Sequence, residues 1–118
     1  MNYIQISIIL LVSIIHIYIM YLEMFLWTTK KGIKAFNLKD KPFAEETKVL
    51  AANQGLYNGF LAAGLIWAFI SDDSNIAFFF LICVAIAGIY GSYSTKKIKI
   101  LYIQTVPATL GLTSLLLL

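Results

Sequence analysis

Four apolar runs, each about as long as a bilayer is thick, leave little chain over for anything else. A membrane-crossing helix needs about 20 consecutive, mostly apolar residues. Such runs occupy about residues 3–27, 48–70, 76–93 and 98–118 of the 118-residue chain. One long connection, Thr28 to Thr47, and two very short ones join them. The expectation is an all-α integral membrane four-helix bundle, one domain over residues 1–118. Composition agrees: 60% of residues are apolar and 13% charged, against about 25% charged in soluble domains. A soluble fold this small cannot hide so much apolar surface. Soluble enzymes, nucleic-acid readers and disordered regulators are therefore excluded, and membrane lipids are the expected partners.

Orientation follows from the nine lysines, because positive connections stay on the cytoplasmic side. Lys30, Lys31, Lys34, Lys39, Lys41 and Lys48 belong to the first connection and its exit, and Lys96, Lys97 and Lys99 to the third. The second connection, residues 71–75, holds Asp72 and Asp73 and no lysine. Both lysine-bearing connections are thus expected in the cytoplasm and both termini outside. The net charge of +3 reflects this topology rather than nucleic-acid binding. The first run lacks a positive leader and a small-residue cleavage site, so it reads as a retained span.

The second helix is expected to begin ahead of the membrane. Asp40 suits a cap, Pro42 a first turn, and Glu45 and Glu46 the positive end of the helix dipole. In the same connection Ile33, Phe36, Leu38 and Phe43 are interleaved with lysines. That pattern fits a segment lying on an anionic leaflet and equally a solvated linker.

Helices in lipid approach closely through small residues. Ala51, Gly55, Gly59 and Ala63 recur every four positions, Ala87, Gly88 and Gly91 mark the third run, and Ala108 and Gly111 the fourth, beside a kink expected at Pro107. This GxxxG-like stripe is compatible with a homodimer seam. Packing within one chain is the reading preferred, since the bundle must pack first.

Polar residues inside the runs cluster at one depth. Glu23 lies four residues inside the first run, Asn53 and Gln54 five and six inside the second, Tyr90 three inside the third and Gln104 six inside the fourth. His16, Tyr57 and Asn58 continue the layer inward. His16 and Glu23, seven apart, share a helix face, as do the pairs Asn53–Tyr57 and Gln54–Asn58, each four apart. Glu23 carries the sharpest tension, because an acid near its own helix C-terminus opposes the dipole. A partner or a role is therefore expected for it. The amides serve equally as glue between helices or as the lining of a pocket open to the cytoplasm. His16 reads first as a satisfied core histidine.

The run Asn53-Gln54-Gly55-Leu56-Tyr57-Asn58-Gly59-Phe60-Leu61-Ala62-Ala63-Gly64-Leu65 resembles the signature of a family of small four-span bacterial membrane proteins. That family is catalogued as domain of unknown function thirteen-oh-four. Glu23-Met24-Phe25, Gly88-Ile89-Tyr90-Gly91 and Gln104 with Pro107-Ala108 are similar to its pattern too. The resemblance covers essentially the whole chain and implies a multi-pass protein of the cell membrane. It brings no catalytic or substrate residue.

Three functions follow as expectations. The first is binding of a small amphipathic or lipid ligand in the polar layer by Glu23, Asn53, Gln54, Tyr57, Gln104, His16, Asn58 and Tyr90. The second is proton-coupled transport, since a lone acid in the first of four spans resembles the small multidrug resistance proteins, although their acid lies deeper. The third is a structural or accessory role without a ligand. Catalysis is disfavoured, and neither a metal nor a cofactor is expected. One cysteine, Cys83, cannot form a redox pair, one histidine cannot build a two-histidine haem, and no arginine is present to hold an anionic thiol.

Overall fold

The structure is a computed structural model describing residues 1–118, and it is helical throughout. The elements are α1 (Tyr3–Phe25), α2 (Lys30–Ala35), α3 (Lys41–Ser71), α4 (Ser74–Thr95), α5 (Ile98–Ile100), a π-helical turn (Leu101–Thr105) and α6 (Val106–Leu117). Three apolar stretches are long and apolar enough to cross a membrane: Tyr3–Phe25, Ser74–Thr95 and Ile98–Leu117. Helix α3 is the longest, with 31 residues. Its charged first turns, together with Asn53, Gln54 and Asn58, lower its apolarity below that of the other three.

Each helix start has a local cause. Asn2 and Gln5 exchange backbone-to-side-chain hydrogen bonds, both 2.9 Å, in a reciprocal cap that begins α1. The Thr29 hydroxyl accepts from the Gly32 amide at α2. Asp40 accepts from the Phe43 amide at α3, so this helix starts seven residues ahead of Lys48. Asp73 accepts from the Asn75 and Ile76 amides at α4. The tight turns between helices place Asn37 and Asp72 in the left-handed region, at φ 51° and 50°. Asn and Asp tolerate it better than most residues. The π turn ends two residues before Pro107, which has no N–H to give to Ile103. Widening the turn relieves the clash of its ring with that carbonyl.

The chain forms two compact units. The first comprises Met1–Ile15 and Leu61–Leu118. Its core is apolar: Ile9, Val12, Leu65, Ala68, Ala77, Leu81, Val84 and Ala108 are buried together. Small residues let its helices touch. A Cβ on Gly88 would strike Thr105 and Gln104, one on Gly64 the Phe80 ring, and one on Gly111 would stand 2.9 Å from Leu81. Two hydrogen bonds cross between its helices, from Gln5 Nε2 to the Ser114 carbonyl and from Thr105 Oγ1 to the Ala85 carbonyl, each 3.0 Å.

The second unit is His16–Phe60: the last turns of α1, all of α2 and the first two-thirds of α3. Gly32 seats α2 directly on the Leu26 and Trp27 backbone, with no room for a side chain. Trp27 packs against Phe36 at 4.9 Å between ring centroids and donates through Nε1 to Thr47 Oγ1 at 3.0 Å. Lys31 Nζ lies 5.4 Å from the centre of the Tyr18 ring, a cation–π contact.

Candidate functional site

The polar centre of the second unit is built by close helix approach. On α3, Gly55 and Gly59 present bare backbone to α1. A Cβ on Gly55 would lie 2.7 Å from Met24 Cγ and 3.0 Å from Glu23 Cβ, and one on Gly59 2.7 Å from Met20 Sδ. That proximity brings the Glu23 carboxylate within reach of α3. Gln54 Nε2 donates to Glu23 Oε2 and Asn58 Nδ2 to Oε1, both at 2.5 Å. Gln54 and Asn58 are one turn apart, so their amides converge on the two oxygens from the same helix face. Glu23 is only 1% exposed.

The electrostatics are unusual. A buried ionised carboxylate is costly unless it is paired and hydrogen-bonded. Hydrogen bonds to a charged acceptor are the strong kind, and here both oxygens receive one. No cation joins them: the chain's two ion pairs are Met1–Asp72 and Lys48–Glu45. Nor does a group of three or more His, Cys, Asp or Glu side chains converge anywhere in the chain.

The other residues of the polar layer are placed differently. His16 is fully buried, two turns before Glu23 on α1. Asn53 turns back along its own helix, donating from Nδ2 to the Val49 carbonyl at 3.0 Å. Tyr57 is 61% exposed and tilts against Phe60, 6.1 Å away. Tyr90 and Gln104 belong to the first unit. Tyr90 is 68% exposed on α4, and Gln104 sits on the π turn, against Gly88. Thus Glu23, Gln54 and Asn58 form one hydrogen-bonded cluster, which the side chains of Asn53 and Tyr57 do not join.

Two features escape a reading by depth. Thr105 makes an interhelical hydrogen bond, and its only signal is a hydroxyl next to Gln104 in an apolar run. Lys48 registers in lysine counting as a topological charge. In the structure it stands on the rim of an open groove of about 460 Å³, lined also by Met24, Val49, Ala52, Asn53 and Leu56.

Residues 10–116 match the model of a family described as a protein of unknown function (DUF1304). The chain belongs to that family. The matched region contains every residue of the Glu23 cluster. The uncharacterized protein YpaA of Lactococcus lactis subsp. lactis (strain IL1403) is 38% identical over 108 residues, covering 89% of this chain and 90% of its own. No solved structure matches the chain.

Proposed function

We propose that this family member is a four-span protein of the cell membrane, both termini outside, that binds a small amphipathic molecule at the Glu23 cluster. Three strongly apolar stretches and the confinement of all nine lysines to two connections support the topology. The observation that carries the binding reading is a buried carboxylate held by two neutral amides with no cation beside it. Ionisable groups inside membrane helices face the interior and mark ligand or ion pathways. A carboxylate accepts, so the complementary ligand group is a donor or a cation. Gln54, itself exposed, swings aside to admit it while Asn58 keeps hold of the second oxygen.

A second reading, proton-coupled transport, draws on the same lone acid. It requires that substrate binding release a proton in the wild type and not in Glu23→Gln.

The binding reading is tested by purifying wild type and Glu23→Gln in parallel in mild detergent and analysing their organic extracts by mass spectrometry. A defined amphipathic species enriched with the wild type and depleted from the variant is the expected result. The absence of any species depleted from the variant would overturn it.

A further inference from the structure

The groove beside Lys48 lies on the opposite flank of the same helix pair from the Glu23 cluster. Residues 49, 53 and 56 of α3 share one face and Gln54 and Asn58 another, because successive residues turn by about 100° around a helix of 3.6 residues per turn. The groove wall is apolar, formed by Met24, Val49, Ala52 and Leu56. Its polar members are Lys48 and Asn53.

Its level is set by its neighbours. Trp27, an interfacial residue type, donates to Thr47, the residue before Lys48. Lys31 reaches back over the Tyr18 ring, so charge and aromatic ring meet at the same end of α1. A groove at this level meets lipid headgroups above and the first carbons of acyl chains below. The charge nearby has one sign in excess: the segment from Lys30 to Lys48 carries six lysines against Asp40, Glu45 and Glu46. Lys48 is engaged only by Glu45, 3.2 Å away, and both side chains are about half exposed. An exposed pair of this kind is weak and yields readily to a phosphate.

From these observations we infer that the groove is a binding site for an anionic phospholipid, its phosphate on Lys48 and its upper acyl segment along Met24, Val49, Ala52 and Leu56. The inference rests on the chain crossing a membrane and is independent of ligand binding at Glu23. Basic residues beside an anionic leaflet strengthen such contacts, and aliphatic floor and cation together select a lipid over a free anion.

The test titrates detergent-solubilised full-length protein with phosphatidylglycerol and, separately, with phosphatidylcholine, and counts bound lipid by native mass spectrometry. One phosphatidylglycerol per chain is expected, in preference to phosphatidylcholine. Lys48→Gln should weaken that preference about five-fold, the effect of one basic side chain near an anionic surface. Lys99→Gln, an equal loss of charge on the other connection, should leave it unchanged. Ala52→Phe fills the groove with Lys48 intact and should also expel the lipid, with helicity by circular dichroism confirming that the variants fold. Equal binding of both lipids, a preference lost equally in Lys48→Gln and Lys99→Gln, or displacement by millimolar inorganic phosphate would overturn the inference. Absence of every lipid adduct would instead remove the membrane reading beneath it.

Discussion

The two units use the same currency of closely packed helices for opposite ends. In the first, eight apolar side chains from Ile9 to Ala108 fill the centre, and its glycines bring backbone against Phe80, Thr105 and Leu81. In the second, Gly55 and Gly59 permit an equally close approach, and what that approach encloses is a carboxylate between two amides. A stripe of small residues therefore says that helices touch without saying what they touch around. Lipid supplies no hydrophobic drive between helices, so packing alone would be served by apolar residues at both centres. A carboxyl at the second centre is the costlier choice, and the proposed ligand binding would account for it.

Breaking the first unit should have the largest effect. Gly88→Leu drives a branched side chain into Gln104 and Thr105 at the π turn, and this variant should lose its monodisperse elution and part of its helicity in detergent. A monodisperse, fully helical Gly88→Leu protein would show that the π turn yields easily and that close packing at Gly88 does not hold the first unit together.

Within the second unit the sharpest contrast is between two asparagines five residues apart. Asn58→Ala removes one of the two donors from a buried carboxylate and should cost about 1–3 kcal/mol, read as a lower thermal unfolding midpoint. Thr105→Val, which deletes the hydroxyl that bonds Ala85, should cost less, about 0.6 kcal/mol, the average for hydrogen bonds between membrane helices. Asn53→Ala should be smallest, within about 0.5 kcal/mol, because its side chain bonds only its own helix. If Asn53→Ala costs as much as Asn58→Ala in the same unfolding assay, the division of the polar layer drawn here is wrong.

That division also marks how far the sequence is legible. Apolar length and capping chemistry are local, so Asp40, Asp73 and the helices they begin can be read directly, and the α1 and α4 boundaries fall within two residues of the apolar runs. The longer α3 follows from Asp40 and Pro42, ahead of the apolar run. Depth along a helix is equally local, and position in the apolar runs alone leads one to expect Glu23, Asn53, Gln54, Tyr90 and Gln104 in one layer. Azimuth is not local. Which of Asn53 and Gln54 faces Glu23 depends on how α3 is rotated, and that is decided by Gly55 and Gly59 seating on Met20 and Met24. Pro107 announces a disturbance in the last apolar run, but its form as a π turn held by Thr105 depends on the facing carbonyl of Ala85.

Under the proposed function the polar unit binds a ligand and the apolar unit only packs. This is tested most directly by native mass spectrometry of two variants, Glu23→Gln and Thr105→Val, each of which alters one side chain that bonds between helices, one in each unit. Wild type and Thr105→Val should carry the same amphipathic adduct, and Glu23→Gln should have lost it. If every adduct is reduced equally in both variants, or none is reduced in either, the polar unit binds no ligand through Glu23 and Glu23 is helix glue.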